Sequence, residues 1–344
     1  MVAATRPGRG TNLALLVLLA GSFVTGWVAF GVGVASGARA VAVLHGVLGL
    51  GILVLTPWKS VVVRRGLRRR RRHAVAVVFT LVLALSLLAG IVHSTLGPVQ
   101  VGGVSALAVH VGSAVVAVLL AVAHVVRRPQ RDRVGDLNRR SALRALALGG
   151  TAALAYAALS SVTALAGLPG GRRRETGSYE VGSGDPSAVP VTQWFTDAVP
   201  VIDPTAYELR VDRPDGREQR ITYAALLAMA GTTRAAVLDC TGGWWSEQTW
   251  RGVSLDVLLG PLGPLGGGSI VVSSVTGYTR RLPAADAASL VLATHVGGVP
   301  LSAGHGGPVR LVAPGRRGFW WVKWVDRVGV DDRPSWSQPP FPLQ

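Results

Sequence analysis

The sequence contains a single cysteine, Cys240, among its 344 residues, so no disulfide can form within the chain. The thiol is therefore used for packing, for reactivity or as a metal ligand. Acidic residues are also few, since 18 aspartates and glutamates stand against 35 lysines and arginines. A Walker loop, a dinucleotide-binding glycine fingerprint and a His/Cys cluster at zinc spacing are all absent from the sequence. These absences argue against a nucleotide-binding enzyme and against a structural zinc protein.

The excess of basic residues gives a formal net charge of +17, but these residues are concentrated between long apolar runs. The main clusters are Arg64–Arg72 and Arg127–Arg144. Basic loops that flank apolar runs are typical of membrane proteins. A nucleic-acid-binding protein would instead carry its basic residues on one face, together with a recognisable motif. We therefore expect contact with membrane lipid and no nucleic-acid partner.

Five apolar segments are long enough to cross a bilayer as helices, which takes about 20 residues. They define a transmembrane helical domain over residues 1–168, with spans predicted near residues 12–36, 40–57, 74–96, 104–126 and 145–168. If the N-terminus is cytoplasmic, the basic loops between these spans all fall on the cytoplasmic side. The rest of the chain then lies outside the cytoplasm, although Arg172–Arg174 depart from the rule. Four spans and a cytoplasmic C-terminal domain are the structural alternative.

The entry to the fifth span resembles a twin-arginine export signal, with the sequence Asn138-Arg139-Arg140-Ser141-Ala142-Leu143-Arg144. Ala142 departs from the pattern, because a larger apolar residue is usual at that position. Such a signal exports domains that are already folded and loaded with a cofactor. The alternative is a set of ordinary cytoplasmic arginines at the start of a helix.

Histidines within the predicted spans are functional candidates, because ionisable groups are costly in a bilayer. His45, His93 and His110 lie at similar depth on three spans, and two imidazoles placed in this way suit a haem iron. His45 and His110 are the preferred pair. His124 follows His110 by fourteen residues on nearly the same helical face and would suit a second haem, but it lacks a clear partner. The alternative is that these histidines bond to neighbouring helices or lie at the lipid headgroups.

Residues 169–190 are rich in Gly, Arg, Ser and Pro and predict a linker. Beyond them, short strand-like runs broken by turns predict an α+β, mostly β, domain over residues 191–344. Strands are expected at Tyr207–Val211, Gln219–Thr222, Ala235–Leu238, Ser269–Ser274, Val309–Val312 and Trp320–Val330. Helices are expected at Tyr223–Met229, Val253–Leu259 and Pro283–Leu292.

Cys240 lies in this second domain, directly after an apolar run and before Gly242 and Gly243. A cluster of tryptophans, Trp244, Trp245 and Trp250, follows. A thiolate at a junction between strand and loop, beside glycines that permit close approach, suits a metal or a cofactor. A buried structural thiol is the alternative on this stretch alone.

Further motifs follow Cys240 in a characteristic order, namely Trp250–Leu255, the Gly277-Tyr278 pair, Gly304–Gly315 and Gly318–Val325. In this order and spacing they resemble the molybdopterin-binding domain of the sulfite oxidase family, over about residues 191–330. That family includes the catalytic subunit of the periplasmic methionine sulfoxide reductase. The helical half is loosely similar to the haem-bearing membrane partner of that reductase.

The resemblance implies a molybdenum–molybdopterin cofactor and assigns roles to single residues. Cys240 would be the thiolate ligand of molybdenum, and Arg310 would pair with the pterin phosphate through its guanidinium fork. Tyr278 is a candidate catalytic residue. Further contacts to the cofactor are implied for five residues: Gln193, Trp194, His305, Gly318 and Lys323. The alternatives are surface positions for Arg310 and Lys323, a turn residue for His305 and a core position for Tyr278.

Together these features predict a membrane-bound, molybdopterin-dependent oxidoreductase with its catalytic domain outside the cytoplasm. It would transfer an oxygen atom to or from a sulfite- or sulfoxide-type substrate, either a small molecule or an oxidised protein side chain. Electrons would pass through a membrane haem b, with a quinone or a cytochrome as a further partner. The alternative is a membrane-anchored, non-catalytic binding module with a degenerate oxidoreductase fold, in which Cys240 is merely buried.

Overall fold

The computed structural model describes residues 9–31, 35–67, 74–127, 139–193, 197–262 and 268–339. The chain forms two compact units, Met1–Tyr179 and Glu180–Gln344. The described part of the first unit contains five helices that are long and apolar enough to cross a membrane. Their bounds are α1 (Arg9–Gly31), α2 (Ala35–Leu67), α3 (Ala74–Leu96), α4 (Ala106–Arg127) and α5 (Arg139–Leu165).

The helices of the first unit pack in pairs, α1 against α2 and α3 against α4, while α5 packs against α2. Small residues permit the close approach, as Ala152 of α5 is buried beside Gly51 of α2. The second helix is longer than predicted and continues through Pro57. The proline removes only one backbone hydrogen bond, so the apolar residues on both sides can remain helical. The fifth helix begins at Arg139, six residues before the predicted start.

Two connecting segments of the first unit contain regular secondary structure that the sequence did not predict. A hairpin joins α3 to α4 through strands β1 (Gln100–Val101) and β2 (Val104–Ser105). Gly102 and Gly103 form its turn, and both have the positive φ that a two-residue hairpin turn requires. Within the predicted linker, residues 169–172 form a 3₁₀ turn, and a short strand β3 (Tyr179–Glu180) follows.

The second unit contains ten further strands and two short helices in its described part. The helices are α6 (Tyr223–Met229) and α7 (Leu255–Leu259). The strands are β4 (Glu208–Asp212), β5 (Glu218–Thr222), β6 (Thr232–Cys240), β7 (Trp244–Ser254), β8 (Ser269–Ser274), β9 (Thr279–Pro283), β10 (Val291–Val296), β11 (Val299–Pro300), β12 (Arg310–Val312) and β13 (Val325–Asp331). The predicted fold class, a helical region followed by a β-rich domain, is confirmed.

Two sheets enclose the core of the second unit. In one sheet β6 pairs with β7, β7 with β10, and β10 with both β11 and β12, all antiparallel. In the other the order is β5-β4-β13-β8-β9, with only β4 and β13 parallel. Fully buried apolar side chains from both sheets meet between them, including Leu209, Ile270, Leu282, Leu292 and Val328.

Two local predictions for the second unit are wrong, and one strand, β7, was not predicted. Pro283–Leu292 is not an α-helix, because a 3₁₀ turn at Ala284–Ser289 leads directly into β10. All six residues of β10 are buried, and a segment without alternation between buried and exposed positions does not distinguish a strand from a helix. The strand predicted to begin at Trp320 begins only at Val325. The tryptophan cluster that follows Cys240 lies in strand β7. Two of the buried positions of this strand are the polar residues Ser246 and Gln248, so its sequence does not alternate between apolar and polar residues.

Candidate cofactor-binding site

Cys240 is the last residue of β6 and lies opposite Trp244 in the hairpin that joins β6 to β7. Gly243 adopts a positive φ of 89° in the turn, and the backbone N–H of Gly242 donates to the Cys240 Sγ at 3.3 Å. Burial raises the pKa of the thiol, while Gly242, Arg317 and Lys323 act in the opposite direction. The thiol is therefore held in place but stays protonated unless a cation compensates its charge.

A second loop approaches Cys240 closely at Gly318. A Cβ atom at this position would lie 3.1 Å from the Cα of Cys240 and 3.3 Å from the carbonyl oxygen of Asp239. The contact is tight enough that any larger residue would push the two loops apart. Gly318 therefore permits the 3₁₀ turn Gly318–Trp320 to form one wall beside the thiol.

The cleft beside Cys240 brings together residues that are far apart in the sequence. Of the eight residues predicted for the cofactor site in this unit, seven line the cleft; Trp194 lies outside the described residues. The seven are Gln193, Cys240, Tyr278, His305, Arg310, Gly318 and Lys323. They come from the ends of β6 and β12, the turn before β9, and the loops around residues 192, 305 and 320.

Arg310 of β12 is a buried cation with only 2% of its surface exposed. Its Nη1 donates to the carbonyl of His305 at 2.9 Å, and its guanidinium carbon lies 5.1 Å from the ring centre of Trp250 and 5.7 Å from that of Trp321. Among the described residues no carboxylate pairs with it, and its Nε has no hydrogen-bond partner. Burial lowers the pKa of Arg310 to about 10. A buried, unpaired guanidinium at a cleft suits an anionic ligand.

Lys323 supplies a second cation to the cleft. Its Nζ donates to the carbonyls of Thr192 at 2.8 Å and Gly304 at 2.6 Å. An ammonium group has three donors, so these bonds leave one for a ligand. Burial lowers the pKa of Lys323 to about 7, and the nearby Arg310 acts in the same direction. An anion bound between the two cations would restore the charge of the lysine.

His305 lines the cleft, but both of its ring nitrogens are already engaged. The Nε2 lies 2.9 Å from the carbonyl of Val189, and the Nδ1 lies 2.9 Å from the hydroxyl of Ser302. A carbonyl can only accept, so the proton is on Nε2 and Nδ1 accepts from Ser302. The ring therefore fixes the turn whose backbone carbonyl at His305 receives Arg310.

Tyr278 lies at the cleft with its hydroxyl donating to the carbonyl of Phe319. Burial raises its pKa to about 12, so the phenol is neutral near pH 7. Behind it lies Arg280, which is 1% exposed and is stacked near the rings of Tyr278, Phe319 and Trp320 at 5.2 to 5.7 Å. This packing fixes the orientation of the tyrosine.

Sequence reasoning missed one buried ion pair that holds the site together. Arg317 Nη1 donates to Asp239 Oδ1 at 2.5 Å, and its Nη2 lies 3.3 Å from the carbonyl of Cys240. Both residues are under 10% exposed. The pair connects the loop that carries Gly318 to the strand that carries the thiol. One feature of the sequence could have indicated this pair. Asp239 directly precedes Cys240, and Arg317 directly precedes Gly318.

In the helical unit the structure brings together the preferred histidine pair. The ring centres of His45 on α2 and His110 on α4 are 5.8 Å apart, with an angle of 81° between the rings. The Nδ1 of His45 lies 2.9 Å from the carbonyl of Ser22, and that of His110 lies 2.8 Å from the carbonyl of Ser86. Because carbonyls only accept, each Nδ1 carries a proton, and Nε2 is the nitrogen that could bind a metal.

Glycines make room for both rings. A Cβ atom at Gly26 of α1 would lie 3.1 Å from the ring of His45, and one at Gly90 of α3 would lie 2.8 Å from that of His110. The other two histidines are placed differently. His93 is 9% exposed and packs edge-on against Tyr179 at 5.3 Å, while His124 stacks on Phe79 at 6.4 Å.

The fold and the cleft define a class of protein, and comparison with known proteins agrees. Residues 196–338 match the sequence profile of the oxidoreductase molybdopterin binding domain. The second unit therefore has the fold of a molybdopterin-binding oxidoreductase domain.

Individual relatives share this domain. The chain is 34% identical over 180 residues to sulfite oxidase from Gallus gallus, which covers 41% of this chain and 39% of that protein. It is 34% identical over 135 residues to an inducible NADH nitrate reductase from Glycine max, which covers 31% and 15%. The sulfane dehydrogenase SoxCD from Paracoccus pantotrophus matches at 27% identity with a TM-score of 0.36, over 39% of this chain and 40% of that one. The chain spans about two fifths or less of these relatives.

Proposed function

We propose that this chain is a membrane-bound oxidoreductase that transfers an oxygen atom to or from a sulfite- or sulfoxide-type substrate at a molybdenum–molybdopterin centre. The observation that carries the proposal is the cleft in which the Cys240 thiol, the buried Arg310 and Lys323 meet. The substrate would be a small molecule or an oxidised protein side chain. The curated relatives support the chemistry through their shared domain.

The residues of the cleft fit the cofactor. Arg310 has an unused buried Nε and no carboxylate partner among the described residues, so a phosphate would complete it. Lys323 would add its third donor to the same anion. Cys240 supplies the soft thiolate that the metal requires, and Gly318 keeps the wall beside it open. When bound, the group supplies two-electron oxygen-atom transfer.

Other residues of the cleft would position the substrate. Tyr278 is a neutral hydrogen-bond donor at physiological pH, because its pKa is about 12. Its hydroxyl could turn from the carbonyl of Phe319 to an oxygen atom of the substrate. Trp244 and Trp321 line the same cleft and would exclude water from it. His305 would act indirectly by holding the turn beneath Arg310.

We infer that His45 and His110 bind one haem b, which would connect the active site to a quinone or a cytochrome. Metal and cofactor sites of helical bundles are built from side chains on facing helices. The two imidazoles lie on α2 and α4 with their ring centres 5.8 Å apart. Both Nδ1 atoms are bound to backbone carbonyls, as is usual for histidines that ligate a metal through Nε2. His93 packs against Tyr179 and His124 against Phe79, so the preferred pair supports one haem.

The domain would act outside the cytoplasm. The support is the arrangement of basic loops around five apolar helices, together with the twin-arginine pattern at Arg139 and Arg140, which lie at the start of α5. Export after folding would allow the cofactor to be inserted in the cytoplasm first.

The decisive experiment measures molybdenum, pterin and haem on the purified full-length protein. We expect one molybdenum per chain, lost in Cys240→Ser and kept in the control Ser289→Ala, whose exposed hydroxyl lies outside the cleft lining. Protein without molybdenum, or with unchanged metal in Cys240→Ser, would exclude the enzyme and leave the non-catalytic binding module. A haem-free spectrum would exclude the electron route through His45 and His110 and leave the helices as an anchor.

A further inference from the structure

Arg172–Arg174 depart from the charge rule of membrane proteins, and the structure packs this segment onto the helical unit. The 3₁₀ turn at Pro169–Arg172 lies against the last turn of α3. A Cβ atom at Gly170 would collide with the carbonyl oxygen of Ser94 and would lie 2.8 Å from the Cα of Thr95. Contact this close shows that the arginines are held at one particular place on the bundle.

Two side chains of this segment bind the end of α3. The last four carbonyls of a helix lack partners within the helix and carry partial negative charge. Arg173 Nη1 donates to the carbonyl of Ser94, and the Tyr179 hydroxyl donates to that of His93. These bonds hold the half-buried guanidinium of Arg173 beside the ring of His93. Among the described residues, no carboxylate forms an ion pair with Arg173.

The same end of the bundle carries the histidine pair. His93 is three residues from the end of α3, and His110 is four residues from the start of α4, to which the β1–β2 hairpin connects it. At a rise of 1.5 Å per residue, both histidines are within about 6 Å of these helix ends. The ring of His110 lies between Ser86 and Gly90 of α3, and Arg173 binds Ser94, which is about one to two turns nearer the end of that helix.

A haem carries two propionate groups, and a carboxylate inside a bilayer needs a cation or donors close by. A guanidinium has five donors, so the bonds of Arg173 to Ser94 and Tyr179 leave further donors for a carboxylate. Arg172 is exposed and has no such contact with the helices in the described structure. Arg173 is thus a half-buried cation that the fold holds at the end of α3, the helix whose Ser86 bonds to His110.

We propose that Arg173 binds a propionate of the haem held by His45 and His110. The inference depends on the haem of the proposed function and adds the residue that orients it. It also explains why a basic segment is kept at this end of the bundle. The haem would then present its propionate edge toward the segment that leads into the second unit.

The test uses the full-length protein, produced without haem and titrated in detergent. Two ligands are compared, haem and its iron protoporphyrin dimethyl ester, which lacks the carboxylates. We expect Arg173→Gln to weaken haem binding about tenfold, as for a hydrogen bond to a charged group, and to leave the dimethyl ester unaffected. Arg173→Lys should recover part of the loss. The neighbouring Arg172→Gln should behave as the wild type with both ligands.

Equal weakening of both porphyrins by Arg173→Gln would overturn the inference, because it would indicate a packing role. Unchanged binding of both would overturn it as well. If the wild type binds neither porphyrin, the proposed electron route fails and the inference fails with it. If the wild type binds haem and Arg173→Gln does not differ, only the inference fails. Molybdenum content serves as the folding control for every variant.

Discussion

Replacing Arg310 with methionine tests two effects separately. One is the stability that the protein loses by burying this charge, and the other is the contribution of the charge to cofactor binding. Burial lowers the pKa of Arg310 from 12.5 to about 10, and each unit corresponds to about 1.4 kcal/mol. The charge therefore costs the empty domain about 3 kcal/mol. One hydrogen bond to His305 returns about 1 kcal/mol, and the two tryptophan contacts return about 1–2 kcal/mol. These contributions nearly cancel.

We therefore expect Arg310→Met to change the stability of the cofactor-free protein by no more than about 1 kcal/mol. Cofactor content should fall at least tenfold, because the phosphate loses its guanidinium. Stability is measured as the urea midpoint by tryptophan fluorescence, since Trp250 and Trp321 surround the site. Molybdenum and pterin are measured on protein from a competent host. A variant that loses several kcal/mol when empty, or that keeps its cofactor, would refute the reasoning.

Four further predictions address other parts of the protein. Gly318→Val should reduce molybdenum content, because its side chain must displace the backbone at Cys240. Gly231→Val is the control, since a Cβ atom there would meet its nearest neighbour only at 3.9 Å, and equal loss in both would contradict the close-approach argument. His45→Ala should abolish the haem spectrum and His124→Ala should preserve it, so retention of haem in His45→Ala would exclude this ligand pair. Bonds from Arg333 and Arg281 hold the pKa of Asp331 below its usual range, so this carboxylate stabilises the folded state above about pH 4 and less as the pH falls. The difference in urea midpoint between the wild type and Asp331→Asn should therefore shrink between pH 7 and pH 3, and a constant difference would contradict the linkage. A reporter fused after Gln344 should be active only outside the cytoplasm, whereas cytoplasmic activity would establish the four-span alternative.

Much of the architecture could be predicted because it depends on short-range patterns. A bilayer requires about 20 apolar residues for each helix, so hydropathy locates α3 at its observed bounds and the other spans within a few residues, apart from the long extension of α2. The strands β5 and β8 follow from alternation and turns. The secondary structure was missed where the local pattern is ambiguous, as in the fully buried β10 and in β7 with its inward Ser246 and Gln248.

Some features of the candidate site could be predicted from the sequence, and others could not. The motifs around Cys240, Arg310 and Lys323 identify residues that line one cleft, because the family resemblance encodes long-range proximity. No local pattern reveals that both nitrogens of His305 are already bonded. Nor does any local pattern pair Arg317 with Asp239, which are 78 residues apart.

The sequence alone was enough for the spans, the fold class and the residue types that a molybdopterin and a haem would require. Hydropathy and motif spacing are properties of neighbouring residues, so they need no knowledge of packing. Only the tertiary structure decided that His45 and His110 meet with each Nδ1 bonded to a backbone carbonyl, and that Arg173 binds the end of α3. It also showed that Arg310 is buried without a counter-charge among the described residues. Proximity and burial depend on contacts between distant segments, and these arise only when the chain is folded.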